Sequence, residues 1–436
     1  MKSFLAVALL ATTAPAFAAI PLATIESGAQ ALQPQVVSWR RHIHQHPELG
    51  NREVNTATLV AKHLKSLGLE VREQVGKTGV VAVLRGGMPG GTVALRADMD
   101  ALPVKEATGL PFASTATGLW NGATVPVAHA CGHDAHVAML LGAASLLTSL
   151  KADIPGTIVF IFQPAEEGPP PGEEGGAKLM LKEGALANPR PDAIFGLHVW
   201  PGRAGTLSWR PKGMMAESRQ LKISINGAQT HGAQPWRGID VISQTATTVQ
   251  ELNRLTARTI DPTQTPTILT IATINAGLRH NIIPENVELA GTMRTFDPEQ
   301  RDRLMADVTR TVDAIATAYG SRVKTEFIHA GPLTWNEPAL AAWLEGPLAE
   351  AAGGRQNIDP AIPPVTPSED VSVFMEQVGG VYYFLGINPP GKAVKDTPPN
   401  HSPYFTVNED ALPVGVKAHA LSAIRFLEQS PAREAK

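Results

Sequence analysis

The chain has 436 residues, a formal charge of -3 and a single cysteine. A length near three times the commonest domain size points to more than one folded unit, and so slight a charge provides no basic field for nucleic acid. With Cys131 as its only thiol the chain cannot form an internal disulfide, and the default partner is a small molecule.

Residues 1–18 place a Lys behind the start, an apolar run from Phe4 to Leu10, and small residues around Ala16 and Ala18. That is the pattern of an export signal cut near Ala18, so the expected location is periplasmic or extracellular. No later apolar run has the length that spans a bilayer, and no membrane contact is expected once the signal is removed.

Residues 19–212 read as the first part of an α/β catalytic domain. Asn55 to Leu67 has helical apolar spacing, closed by Gly68. VVAVL and TVALRADMD read as strands, HVAMLLGAASLLTSL as a helix, TIVFIF as a strand and, after a Gly/Pro/Glu loop, DAIFGLHVW as a buried strand. Near-continuous apolar strands alternating with helices imply a largely parallel sheet flanked by helices. Residues 213–330 change grammar. LKISINGA, the helix VISQTATTVQELNRLTAR, TPTILTIATINAG, VELAGTMRTF, a helix from Pro298 to Tyr319 and SRVKTEFIHAG give the order βαββαβ, a ferredoxin-like α+β unit. Residues 331–436 return to helix and strand, including VYYFLGI and a closing helix after Pro413, so the second unit is inserted into the first.

The densest chemistry lies at residues 129–136, HACGHDAH, where one thiol, three imidazoles and a carboxylate stand before an apolar helix. Cys131 and His133 can converge on one ion from the turn entering that helix; a buried, packed thiol is the plainer alternative. QPAEEG sets Glu166 and Glu167 at the carboxyl end of a strand, where open parallel sheets bind ligands. Glu173 and Glu174 read instead as a solvated pair. His198 lies near the end of DAIFGLHVW and His401 in the loop PPNHSPYF. Both suit a borderline metal, and a backbone carbonyl could equally satisfy His198. Asp98 and Asp100 of LRADMDALP are expected near the site, as ligands, as carboxylates behind a ligand imidazole, or paired with Arg96.

In this order HQHPELG, LRADMDALP, HACGHDAH, FQPAEEG, GLHVWPG, THGAQP, NIIPENVELAGTMRTFD and NHSPYF resemble the aminoacylase and carboxypeptidase amidohydrolases of the peptidase M-twenty family. The resemblance is nearest to the branch of hippurate hydrolase and the indole-3-acetyl-amino acid hydrolases. It implies two divalent metal ions, zinc or manganese, held by Cys131, His133, Glu167, His198 and His401, with Glu166 as general base. It implies that His231 stabilises the tetrahedral intermediate, in some members reaching across a dimer. Asn281 and Arg294 fall in the segment that helps hold a substrate carboxylate, and residues 213–330 become a lid or dimerisation domain that allows a homodimer. HQHPELG reads as a fold element. Two departures, Trp236 where many relatives carry His and the lengthened loop PPPGEEGG after Glu167, bear on specificity.

An amide resists water because its carbonyl is weakly electrophilic and its amine leaves badly. Divalent ions answer the first problem by polarising the carbonyl and lowering the pKa of water; Glu166 answers the second by carrying a proton to the departing nitrogen. The expected activity is hydrolysis of N-acyl amino acids or related small amides. A carboxypeptidase or dipeptidase acting on short peptides is the second reading. A noncatalytic solute-binding protein is the reading of another class, and it has no need of Glu166 or of a ligand-grade Cys131.

Overall fold

The computed structural model describes residues 19–261 and 265–429; the expected export signal at residues 1–18 lies outside them. Among the described residues no helix is long and apolar enough to cross a membrane.

The first element, the helix Leu22–Gln45, is hidden from sequence periodicity for two reasons. Pro34 lies inside it, and its buried stripe of Ile25, Ala29, Val36 and Ile43 includes Arg40. An internal proline costs a helical hydrogen bond, and a charge in a buried stripe breaks the apolar spacing. Arg40 is tolerated because its Nε donates to Asp134 Oδ2 at 2.8 Å.

The main sheet has eight strands, in the order Glu70–Val75, Gly79–Arg85, Pro155–Gln163, Met88–Asp98, Ala193–Trp200, Gly380–Gly386, Leu207–Ser208 and Ile358–Asp359. The four at the centre, Pro155–Gln163 through Gly380–Gly386, run parallel, with antiparallel pairs toward the edges. Ala193–Trp200 and Gly380–Gly386 are buried along almost their whole length, as strands covered on both faces must be. The helix His133–Ser149 packs between Leu22–Gln45 and Leu412–Gln429, and the last of these also lies on the central strands. Because the central strands share one direction, their carboxyl ends gather on one side of the sheet, where the chemistry-bearing loops begin.

The helix Leu412–Gln429 buries His419. Burial first, then His136 nearby, push its pKa down to about 3 from an ordinary 6.5. Between those values the unfolded chain binds a proton that the folded one refuses, so stability present above pH 6.5 is lost as pH falls toward 3. At pH 5 this group should cost about 2 kcal/mol. Urea midpoints at pH 7 and pH 5 measure it: His419→Asn should show a shallower acid loss than the parent, and parallel losses would contradict the assignment.

The insert consists of Glu217–Asn226, Val241–Arg258, Ile268–Ala276, Asn286–Thr295, Pro298–Tyr319 and Arg322–Gly331. Its antiparallel sheet runs second, third, first, fourth strand, the ferredoxin-like arrangement. Asp240 and Asp297 start the two helices by accepting backbone N–H groups, with Pro298 in the first turn of the second. Leu221, Ile223, Leu289, Val308 and Val312 form a core of its own. Met214 and Met215, which a boundary after Lys212 would assign to the insert, pack into the larger core instead. The strand Lys212–Met215 pairs with Thr334–Asn336, so the chain leaves and re-enters the larger unit side by side.

Candidate metal centre

Gly132 turns the chain into the helix His133–Ser149 with φ 97°. A Cβ there would meet Val199 Cγ2 at 2.3 Å, so conformation and space both require glycine between Cys131 and His133. Glu166 and Glu167 follow the strand Pro155–Gln163, and His198 stands in Ala193–Trp200. The His401 N–H donates to the Ala130 carbonyl at 2.7 Å. Asn400 Nδ2 donates to the Cys131 carbonyl at 3.0 Å across 269 residues of sequence, and to that of Val199 at 3.3 Å.

Hydrogen bonds fix which ring nitrogens are free. His198 Nδ1 donates to the Val199 carbonyl at 2.7 Å, which leaves the Nε2 lone pair facing Cys131 Sγ at 3.4 Å. His133 Nδ1 donates to Asp100 Oδ1 at 3.2 Å, while its Nε2 is buried with no hydrogen-bond partner. His401 Nε2 lies 2.8 Å from Glu167 Oε1. Ligand-type atoms of Cys131, His133 and His198 lie within 4.8 Å of one another; so do those of Cys131, Glu167 and His401, and those of His133, Glu166 and Glu167. Two of these triads share Cys131. A buried ring nitrogen without a hydrogen-bond partner is costly, and a thiol, imidazoles and a carboxylate are the donor set of a borderline divalent ion. The residues present therefore fit a metal pair.

The electrostatics agree. Burial first, then the charges of Glu167 and Glu166, push the Cys131 thiol well up. Burial, with Glu369 and Glu167, pushes Glu166 well above the usual carboxylate range. At His133 burial opposes the cation, yet Asp98 and Asp100 push its pKa up to about 10. Each shift reports negative charge concentrated away from water, which a divalent ion would offset.

Asp98 is fully buried between Arg96 Nη1 at 2.6 Å and His136 Nδ1 at 2.5 Å. His136 Nε2 accepts the Val199 N–H at 2.8 Å, so both of its nitrogens are engaged and it braces the strand that carries His198. Of the roles open to the two acids in the sequence, Asp98 takes the pairing with Arg96 and Asp100 the support of His133. Sequence reasoning missed Glu369 and Asp370. Arg96 Nη2 donates to Glu369 Oε1 at 2.9 Å and to Asp370 Oδ1 at 3.3 Å, and the Tyr382 hydroxyl donates to Glu369 Oε2 at 2.7 Å. An adjacent acidic pair ahead of the apolar VSVF was the available signal, obscured by a proline-rich flank.

A cavity of ≈ 400 Å³ opens on the cluster, lined by Cys131, Glu166, Glu167, His198 and His401 together with Trp200, Met215 and Ser368. His231 and Asn281 do not line it. His231 is exposed on the short strand Thr230–His231, paired with Ile282–Ile283, and the Gly232 N–H donates to the Asn281 carbonyl at 2.9 Å. The insert carries His231 on this small sheet and Asn281 in the turn ahead of its partner strand, so within one chain neither reaches this cavity. Arg294 differs: its Nη1 donates at 2.7 Å to Ser368 Oγ, a lining residue. Trp236 is 77% exposed and also lies outside the lining. In the lengthened loop Glu173 pairs with Arg52 and the exposed Glu174 with Lys182, so that acidic pair is spent at the surface.

A cluster that can polarise a carbonyl beside a carboxylate that can carry a proton defines a class, the metal-dependent hydrolases of amide and peptide bonds. The chain belongs to peptidase family M20/M25/M40, whose model matches residues 94–425. It is 40% identical to thermostable carboxypeptidase 1 of Saccharolobus solfataricus, over 92% of this chain and 98% of that protein. It is 36% identical to the N-acetyl-L-cysteine deacetylase of Bacillus subtilis, over 87% and 85% respectively. Among solved structures it matches a Bacillus subtilis protein described as a dinuclear metal binding peptidase of the M20 family, with TM-score 0.76, 31% identity, and coverage of 92% of this chain and 99% of that one.

Proposed function

We propose that this hydrolase cleaves the amide bond of N-acyl amino acids, hippurate-like or related small amides, as an exported enzyme carrying two zinc or manganese ions. The observation that carries the reading is the composition of the cavity on the ligand cluster. Beside Glu166 and the ligand cluster it has an apolar wall of Trp200, Pro201, Met215 and Val394, and Ser368 links it to the cation of Arg294. Trp200 stacks on Phe384 with ring centroids 4.5 Å apart and planes at 10°, a stiff apolar surface suited to an acyl group. The volume suits a small ligand. Export rests on the residue pattern of positions 1–18.

Cys131, His133, Glu167, His198 and His401 are the residues that would hold the ions, and ions bound there supply Lewis-acid polarisation of the amide carbonyl and a lowered pKa for water. Glu166, with Oε2 3.9 Å from His133 Nε2, takes the proton of the attacking water and returns it to the departing nitrogen. The apolar wall excludes bulk water from the bond being cut.

The insert is proposed to meet a second copy of the chain. Ile268–Ala276 is an edge strand of its sheet, with Ile274 exposed on it and Leu278 exposed just beyond its end, and unpaired apolar edges are pairing surfaces. In such a dimer His231 would serve the cavity of the other subunit.

The substrate reading is tested by comparing kcat/KM for N-acyl amino acids with that for dipeptides ending in the same residue. Preference for dipeptides would favour the second reading, a carboxypeptidase or dipeptidase, which the likeness to the Saccharolobus solfataricus protein supports. In the same panel Arg294→Ala should weaken substrates with a free carboxylate by about tenfold or more relative to their carboxamides, because it removes a charge-assisted hydrogen bond. Equal losses on both would leave Arg294 only its bond to Ser368.

A further inference from the structure

The segment HQHPELG reads as a fold element, yet three residues beyond it lies Glu53, whose side chain is fully buried. Glu53 Oε1 accepts the N–H of Ala165 at 2.8 Å, and its Oε2 lies 2.6 Å from the Thr78 hydroxyl. Ala165 immediately precedes Glu166 and has φ 51°, the left-handed region that residues with a Cβ disfavour. On the other side of Glu166, the N–H of Glu167 donates to Asp100 Oδ2 at 3.0 Å, and Asp100 Oδ1 accepts from His133 Nδ1 at 3.2 Å. Two buried carboxyl groups therefore hold the two peptide N–H groups that bracket Glu166. The contact is close throughout: a Cβ on Gly50 would lie 2.9 Å from the Gly168 carbonyl oxygen and 3.2 Å from Ala165 Cα.

The geometry points to Glu53 as a positioning residue that holds the strained turn at Ala165 and so aims Glu166 into the cavity, while Asp100 separately anchors Glu167. The inference rests on the reading of Glu166 as the proton carrier. What Glu53 contributes is reach and an acceptor oxygen. Burial, and then Asp100, push its pKa up to about 8, so a neutral amide of the same length copies its form near neutral pH.

The test uses the full metal-loaded chain. Glu53→Gln keeps the acceptor at the same reach, whereas Glu53→Asp keeps the acid and loses the reach. The expected result is kcat within about threefold of the parent for Glu53→Gln, against a loss of about tenfold or more for Glu53→Asp with KM little changed. Metal stoichiometry should match the parent in both, because Asp100 still holds Glu167. Full turnover in Glu53→Asp, an equal loss in Glu53→Gln, or loss of metal as the source of the defect would overturn the inference. Should Glu53→Asp not fold, Glu53→Gln and Thr78→Val decide, since both retain the acceptor for Ala165 and a large fall in kcat in either would also overturn it. Glu166→Gln assayed alongside separates the two levels. If it stays active, the proton-carrier reading fails; if it is inactive while Glu53→Asp is fully active, only the role of Glu53 fails.

Discussion

Glu166→Gln is expected to keep its fold and its metal while kcat falls by roughly two or more powers of ten, the usual worth of a positioned acid–base group. The amide preserves the shape of the side chain but cannot accept the proton of water. Glu167→Gln is expected to behave differently although the two residues are neighbours of identical chemistry. Glu167 Oε1 lies 2.8 Å from His401 Nε2, and its ligand atoms fall in one triad with Cys131 and His401. Replacing that anion with a neutral amide should lower metal affinity first, with activity lost as a consequence. Metal stoichiometry and kcat measured on both variants separate the roles. Metal loss in Glu166→Gln with retention in Glu167→Gln would invert the assignment, and full activity in both would remove the hydrolytic mechanism.

The legible parts of this chain were those whose chemistry is local. HACGHDAH concentrates thiol and imidazole in eight positions and QPAEEG sets two acids at a strand end, so most of the cluster could be named from sequence. The central strands were legible because burial on both faces turns them into continuous apolar runs, as in Ala193–Trp200. The supporting residues were not, because their partners are remote. Glu369 meets Arg96 across 273 positions and Glu53 meets Ala165 across 112, and one sequence gives no hint that such residues touch. The helix Leu22–Gln45 was concealed by Pro34 and by a buried Arg40 whose partner Asp134 lies in another helix. His231 and Asn281 lie in the insert, where their motifs stand in the sequence, but a motif says nothing about which surface its side chains face.

Removal of metal should have the other large effect. Chelation is expected to abolish amide hydrolysis outright, because the carbonyl then loses its polarising partner and Glu166 has no acidified water to deprotonate. It should also change Cys131, which lines the cavity and is shared by two of the ligand triads. A thiolate held by metal is shielded from alkylating reagents, whereas the chelated thiol, pushed up by burial, Glu167 and Glu166, should label once the pH is made alkaline. Equal labelling of Cys131 before and after chelation would mark it as a packed structural thiol instead.

The most direct measurement is therefore a titration of the chelated protein with a divalent metal, following bound ions per chain and the rate of hydrolysis of an N-acyl amino acid together. Activity should be absent at the start and return as about two ions bind per chain, with Cys131, labelled at alkaline pH, becoming shielded from alkylation over the same range. Full activity in the metal-free protein would contradict a metal-dependent amidohydrolase built on Cys131, His133, Glu167, His198 and His401.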